Sequence, residues 1–240
     1  MRFDAYQFSF AGGRNYNEDA VGYRSDDRGG IFVVADGLGG HAHGEVASAC
    51  VRDTLLENWI PGEPDRAQWF ALQAEEANRR ILSLQKEKGT VLKSTMAALA
   101  IDGTRATWAH AGDSRVYYLH RGWIQCVTED HSVAYKKYKA GEISRDAISW
   151  DEDQTGLLRS LGGEDRYEPQ IRVYVEPIES GDAFFLCSDG AWEHLKDGEI
   201  AIDLMKARDA RQWAELLLLR MMDRITSGND NLTLLTLMIR

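Results

Sequence analysis

Five acidic sites in this chain share one kind of position: the end of an apolar strand pattern, beside a glycine or a turn. Asp36 closes IFVVAD before Gly37, Asp113 follows Gly112 between two strand patterns, and Asp189 closes FFLCSD before Gly190. Asp230 stands in GNDN just ahead of a final apolar run, and the pair Glu18-Asp19 heads another strand. Any one of them alone reads as a turn residue, because Asp tolerates turn backbone and hydrogen-bonds to it. Together they ask for a joint explanation. If the strand ends converge, carboxylates about 4 Å apart repel by about 4 kcal/mol per pair at an effective dielectric of about 20. Such a cluster takes up protons or is neutralised by cations. Its ligands would all be oxygen, without His or Cys, which selects Mg²⁺ or Mn²⁺ over zinc. Two ions about 4 Å apart, bridged by one carboxylate, are the natural arrangement. Arg14, just ahead of the acid pair, adds a guanidinium fork that matches two phosphate oxygens. Metals with that arginine point to a phosphoryl substrate.

The elements that must position these groups are legible as patterns. Strand patterns cover residues 3–10, 20–24 and GGIFVVAD, the last apolar without a break, as in a strand buried on both faces. Ala47, Val51, Leu55 and Trp59 form a helical stripe stopped by Pro61-Gly62, and Phe70, Ala74, Ala77, Ile81 and Leu84 form a second. Residues 94–127 read as four short strands with turns at Asp102-Gly103, Gly112-Asp113 and Arg121-Gly122. The polar residues 129–166 predict a short helix and a surface segment carrying Asp151-Glu152-Asp153. Strands IRVYVEPI and DAFFLCSD follow, then a helix striped by Trp213, Leu217, Met221 and Ile225, then the strand NLTLLTLMIR. Runs of strands and runs of helices without strict alternation indicate an α+β layered domain, and no linker or repeat divides residues 1–240.

Composition narrows the function classes. The chain has 240 residues, 44% of them hydrophobic, which excludes a disordered chain. With 38 Asp and Glu against 28 Lys and Arg, the net charge of −10 argues against a nucleic-acid binder. The start MRFDAYQFSF lacks a secretory pattern, and the richest apolar run is broken by Arg220, so no membrane span is expected. Cys50, Cys126 and Cys187 are odd in number and far apart, which predicts free thiols in a reducing cytoplasm. GLGGHA, from Gly37 to Ala42, satisfies a dinucleotide fingerprint. However, Asp36 would repel a pyrophosphate there, and a helix stripe stands where the ribose-binding acid should follow. Neither a P-loop nor an EF-hand register occurs.

Seven segments, RNYNED, VVADGLGGHAHGEVAS, AGDSRVYYL, TEDHS, LLRSLGG, LCSDGAWEHL and GNDNLTLL, resemble in order and spacing the motifs of metal-dependent PPM/PP2C-type serine/threonine protein phosphatases. The compact bacterial members are the most similar, and the resemblance runs from about residue 8 to the C-terminus. It implies a central β-sandwich of two antiparallel sheets flanked by α-helices on both sides, with a binuclear Mn²⁺ or Mg²⁺ centre at one end. By position, Asp36 resembles the bridging carboxylate, and the Gly37 carbonyl, Asp189 and Asp230 resemble further ligands. Glu18 resembles the residue that reaches the second metal through water, and Asp19 the one that orients metal-bound water. Asp113, with Asp189, resembles the ligands of a third metal; Arg14 resembles the phosphate clamp, and Asn231 a support for the Asp230 loop. His41 is a candidate general acid, since Leu38 stands where many eukaryotic relatives have histidine. The implied reaction is hydrolysis of phosphoserine and phosphothreonine by a metal-activated bridging water, reversing a bacterial Ser/Thr kinase. A monomer acting on phosphorylated proteins is the expected form.

Residues 129–160 correspond to the variable flap of bacterial relatives, with Asp130-His131-Ser132 and Leu158–Gly163 at its ends. Trp150-Asp151-Glu152-Asp153 replaces a frequent histidine-proline pair, and an acidic flap predicts a preference for substrates with basic flanks. The rival reading is a catalytically silent phosphatase-fold module that binds phosphopeptides or a partner. Loss of metal carboxylates would favour that reading, yet every expected position is filled.

Overall fold

Side-chain alternation turns the unbroken apolar runs into strands buried on both faces. The structure, a computed structural model, describes residues 1–39, 43–165, 167–174 and 176–240. Strands β1 (Phe3–Phe10), β2 (Asp19–Ser25) and β3 (Gly29–Gly39) open the chain. Helices α1 (Gly44–Glu57) and α2 (Arg66–Lys88) follow. Next come β4 (Leu92–Ser94), β5 (Met96–Asp102), β6 (Arg105–Ala111), β7 (Arg115–His120) and β8 (Trp123–Val127). After α3 (Val133–Lys139) and a 3-10 turn at Arg145–Trp150 lie β9 (Gln170–Val173) and β10 (Ala183–Cys187). Helices α4 (Asp189–Trp192), α5 (Asp197–Lys206) and α6 (Ala210–Met222) precede the last strand, β11 (Leu232–Ile239).

One antiparallel sheet has the order β1-β11-β10-β7-β8; the other has β2-β3-β5-β6-β9, with β4 paired to β3. Phe32 and Val34 of β3 meet Val116, Tyr118, Phe184, Leu186, Leu235 and Leu237 of the opposite sheet in a buried layer between the two. Ile31, Val33 and Ala35, one step out of phase, pack under α1 and α2 instead. On the far side, Phe185 and Leu234 pack against Trp213 and Leu217 of α6 and Ile200 of α5. The result is the α-β-β-α layering that the resemblance implied. Each fully buried Phe or Leu in these layers contributes about 1.5–3 kcal/mol relative to exposure.

Two sequence expectations change. The IRVYVEPI pattern yields only four strand residues, because Ile178 leaves the edge to fill the layer between the sheets, its N–H on the Thr104 carbonyl at 2.8 Å. Helix α5 was not marked by the patterns, since its apolar stripe is only Ile200, Ala201 and Leu204. The three cysteines are free thiols. Among the described residues no helix is long and apolar enough to cross a membrane.

Candidate active site

At one end of the sandwich the layer between the sheets changes from apolar to polar without a break in alternation. Phe32 and Val34 are followed at the next inward position by Asp36, and β2 brings Asp19 directly opposite it in register. The same two-residue step places Thr95 after Ala97, Ser114 before Val116, Ser188 after Leu186 and Thr233 before Leu235. These groups bond to one another. The Asp36 N–H donates to Thr95 Oγ1 at 2.8 Å, and Thr95 Oγ1 lies 2.7 Å from Ser114 Oγ. Ser188 Oγ donates to Asp19 Oδ2 at 2.8 Å, whereas Asp19 Oδ1 is buried without a partner among the described residues.

Loops deliver the remaining acids to the same end. Asp189 opens α4, its Oδ1 accepting from the Gly190 N–H at 2.7 Å. Glu18 Oε1 accepts from the Gly44 N–H at 2.8 Å where α1 begins. A Cβ on Gly37 would stand 2.1 Å from the Gly44 carbonyl oxygen, so only glycine allows this strand end to meet that helix start. Asn231 clasps the N-terminal loop: its Oδ1 accepts from the Glu18 N–H at 2.7 Å, and its Nδ2 donates to the carbonyls of Ala11 and Tyr16, each at 2.9 Å. That clasp brings Arg14 to Asp230, Nη2 to Oδ2 at 2.8 Å.

A cavity of about 570 Å³ gathers Arg14, Glu18, Asp36, Gly37, Asp113, Asp189, Asp230 and Asn231 in its lining, together with Tyr16, Leu38, Thr155 and Leu157. Asp19 stands behind it, bonded to Ser188. His41 lies outside the described residues.

The electrostatics follow from crowding acids away from water. Burial raises the Asp36 carboxyl well above its ordinary range, and the charges of Asp189, Asp19, Asp113 and Asp230 add to it. Burial and then Asp189 do the same to Asp113, and burial with Asp230 raises Asp189. Asp19 rises to about 7, chiefly by burial, against the hydrogen bonds from Thr233 and Ser188. Among the described residues, no three acids, histidines or cysteines already converge on one point as a finished cage. Glu18, Asp189 and Asp230 are each held by a hydrogen bond of their own. The donor set still fits hard divalent cations: it is all oxygen, burial and neighbouring acids raise Asp36, Asp113 and Asp189, and among the described residues Asp19 Oδ1 is buried without a donor.

A sign follows for stability. A carboxyl whose folded pKa is raised favours the folded state below its unfolded value near 4 and loses that contribution as pH rises toward the folded value. For Asp19 the window therefore runs from about 4 to about 7. Cations should offset the loss, so saturating Mn²⁺ is expected to raise Tm by about 5–10 °C at pH 8 and by little at pH 5. Thermal melts in EDTA and in Mn²⁺ across that range check this; equal increments at both pH values would contradict it.

A family model described as Protein phosphatase 2C matches residues 13–223. The chain belongs to the protein phosphatase 2C family. It is 29% identical to the serine/threonine phosphatase stp of Listeria welshimeri, over 92% of this chain and 90% of that one. It is 30% identical to the protein phosphatase PhpP of Streptococcus pneumoniae, over 78% of each. Its fold superposes on the catalytic domain of the serine threonine protein phosphatase PstP in complex with two manganese ions, with a TM-score of 0.84 and 26% identity over 99% of both chains. It is thus a protein-serine/threonine phosphatase, a hydrolase that acts on phosphoproteins.

Behind the acids of this protein phosphatase 2C lies a support that the motifs did not single out. Arg115 and Asp130 form a buried two-pronged pair, Nε to Oδ1 at 2.8 Å and Nη2 to Oδ2 at 2.6 Å. The Arg115 guanidinium lies 3.5 Å over the Trp192 ring, whose Nε1 donates to the Asp113 carbonyl at 2.9 Å. One network thus braces the Asp113 turn and the helix that starts at Asp189. The available signal was an arginine opening an otherwise apolar strand, SRVYYL, which must find a carboxylate if buried. Glu193, at the end of α4, is raised to about 8 mainly by burial and accepts from Gln154 of the flap.

The segment expected as a flap is tied by two isolated bridges. Ser132 bridges to Leu157, and Ser94 to Leu161, the latter with bonds of 3.0 and 2.8 Å. Two of its acids are paired, however. Lys137 Nζ lies 2.9 Å from Asp151 and 2.7 Å from Asp153. Lys137 therefore offsets only part of the field expected to repel acidic substrates, one positive charge against the three acids Asp151, Glu152 and Asp153.

Proposed function

We propose that this phosphatase hydrolyses phosphoserine and phosphothreonine on proteins at the carboxylate-lined cavity, and that it needs two Mn²⁺ or Mg²⁺ ions to do so. The observation that carries the reading is the burial of Asp36 among Asp19, Asp113, Asp189 and Asp230, a repulsive group of acids with a guanidinium at the same cavity. Asp36, the Gly37 carbonyl, Asp189, Asp230 and, through water, Glu18 would hold the two ions; Asp113 with Asp189 would hold a weaker third. When bound, such ions would supply positive charge for the phosphoryl oxygens and lower the pKa of the attacking water.

The chain's own groups do the rest. Asp19 Oδ1, buried and without a donor, accepts a hydrogen bond from the attacking water and orients it in line with the departing Ser or Thr oxygen. Arg14 offers guanidinium N–H groups to the equatorial phosphoryl oxygens, where charge develops in the transition state. Asn231 holds Arg14 and Glu18 in register with Asp230. Removal of phosphate from seryl and threonyl side chains reverses a Ser/Thr kinase, which is the cellular role proposed here.

Turnover of a phosphothreonine peptide and of para-nitrophenyl phosphate, with Mn²⁺ and after EDTA, tests the reading. EDTA-insensitive hydrolysis would refute it. Arg14→Ala is expected to lower kcat/KM by about a hundredfold, as loss of a charged phosphate contact does. The Mn²⁺-dependent rise in Tm should survive in that variant, because Arg14 contributes no ligand and its loss leaves the Asp230 carboxylate free for an ion.

A further inference from the structure

We propose that a second cavity beside the catalytic one is a subsite for an anionic side chain of the substrate polypeptide, gripped by Lys136 and Arg159. The inference rests on the reading of the larger cavity as the phosphoryl site, and it names the substrate class that site serves. The second cavity, of about 400 Å³, is lined by His131, Tyr135, Lys136, Lys139, Leu158 and Arg159, among others. One stretch of chain separates the two: Thr155 and Leu157 line the catalytic cavity, and Leu158 and Arg159 line this one. Two residues of extended chain span about 7 Å. A peptide with its phosphorylated residue in the first cavity therefore reaches the second with a side chain two to four positions away.

The charge of the cavity follows from which groups already have partners. Glu129 pairs with Lys139 at 2.9 Å, and Asp130 is committed to Arg115. Asp151 and Asp153 of the neighbouring flap are held by Lys137. His131 is uncharged: burial lowers it to about 4, and its Nδ1 accepts from the Gly112 N–H at 3.2 Å, leaving Nε2 to donate to Gln170 Oε1. Two exposed cations remain. Among the described residues no carboxylate pairs with Lys136 or Arg159, and Arg159 donates only to the Glu168 carbonyl, at 3.4 Å. Tyr135 and Leu158 between them give the stem of a side chain an apolar floor. The ligand this selects is an anion on a short aliphatic stem, a carboxylate or a second phosphate. This reverses the preference that the acidic flap sequence predicts.

The test is a series of phosphothreonine peptides with Glu, a second phosphothreonine, Ala or Lys placed two to four residues to either side, assayed with Mn²⁺ at low salt. Two exposed ion pairs support about a tenfold higher kcat/KM for the anionic peptides over the lysine peptide, carried by KM and shrinking at about 0.5 M salt. A gain with both anions identifies a general anion subsite, and a gain with phosphothreonine alone identifies a second phosphate. The doubly substituted Lys136→Ala, Arg159→Ala protein should lose the preference while keeping the wild-type rate on para-nitrophenyl phosphate, and Lys136→Glu with Arg159→Glu should invert it. Equal constants for all peptides in a wild type that hydrolyses para-nitrophenyl phosphate would overturn the subsite alone, as would a preference retained in the double variant. Failure to hydrolyse any phosphate ester would overturn the underlying reading, and the subsite with it.

Discussion

Asp36→Asn is expected to lower kcat/KM on a phosphothreonine peptide by at least about a thousandfold, equivalent to about 4 kcal/mol of transition-state stabilisation. Asp36 is the acid whose carboxyl feels Asp189, Asp19, Asp113 and Asp230 together, which makes it the centre of the cluster. The amide keeps the shape of the side chain and leaves the backbone bond to Thr95 intact. It removes the one anion that every other acid is arranged around. The same change relieves the ion-free protein. With a neutral group at this position the like-charge repulsion falls, so Tm in EDTA at pH 8 should be unchanged or higher than wild type. The increment from Mn²⁺ should largely disappear. Kinetics and paired melts read the two effects separately; activity within tenfold of wild type would remove Asp36 from the centre of the mechanism.

The second large effect lies behind the site. Asp130→Ala strands Arg115 as a buried charge, its side chain only 8% exposed, and this is expected to cost about 3–5 kcal/mol of stability. For a chain of this size that lowers Tm by about 10 °C. Activity should fall as well, by about tenfold at a temperature where the variant is folded, because Arg115 stacks on Trp192 and Trp192 holds the Asp113 carbonyl. Denaturant unfolding in saturating Mn²⁺ and in EDTA measures the first, and kcat/KM the second. A destabilisation below about 1 kcal/mol would mean that Arg115 finds water or another acid once its partner is gone.

How much of this was legible beforehand depended on the range of each signal. Local patterns carry over well. The unbroken run IFVVA marked a strand covered on both faces, and β3 divides its side chains between the helices and the opposite sheet. The stripes Ala47–Trp59 and Phe70–Leu84 became α1 and α2, except that α1 ends at Glu57 and Trp59 joins the same core from just beyond it, because a 3.6-residue apolar period buries one helical face. The acids at the strand ends were visible for the same reason: Asp beside Gly ends a strand by its own chemistry. The motifs, taken jointly, were enough to point to the family.

Which of those acids share a space was decided only by the packing of the two sheets. Asp19 and Asp36 meet because β2 pairs with β3 in one register, and a shift by one residue would have sent Asp36 to the helical face. Ser188 and Thr233 reach Asp19 because β10 and β11 of the other sheet are stacked with their inward positions in line. The pairing of charges was equally beyond a linear reading. Asp130 belongs to Arg115 and two of the flap acids to Lys137, and among the described residues no carboxylate pairs with Lys136 or Arg159 in the cavity beside the flap. Composition and periodicity determine which residues are buried or charged, since those are properties of the residue and its immediate neighbours. Distances across a sandwich, and hence the pKa shifts and ion pairs that make the site, arise from contacts between distant segments, 216 positions apart for Arg14 and Asp230 and 220 for Ala11 and Asn231.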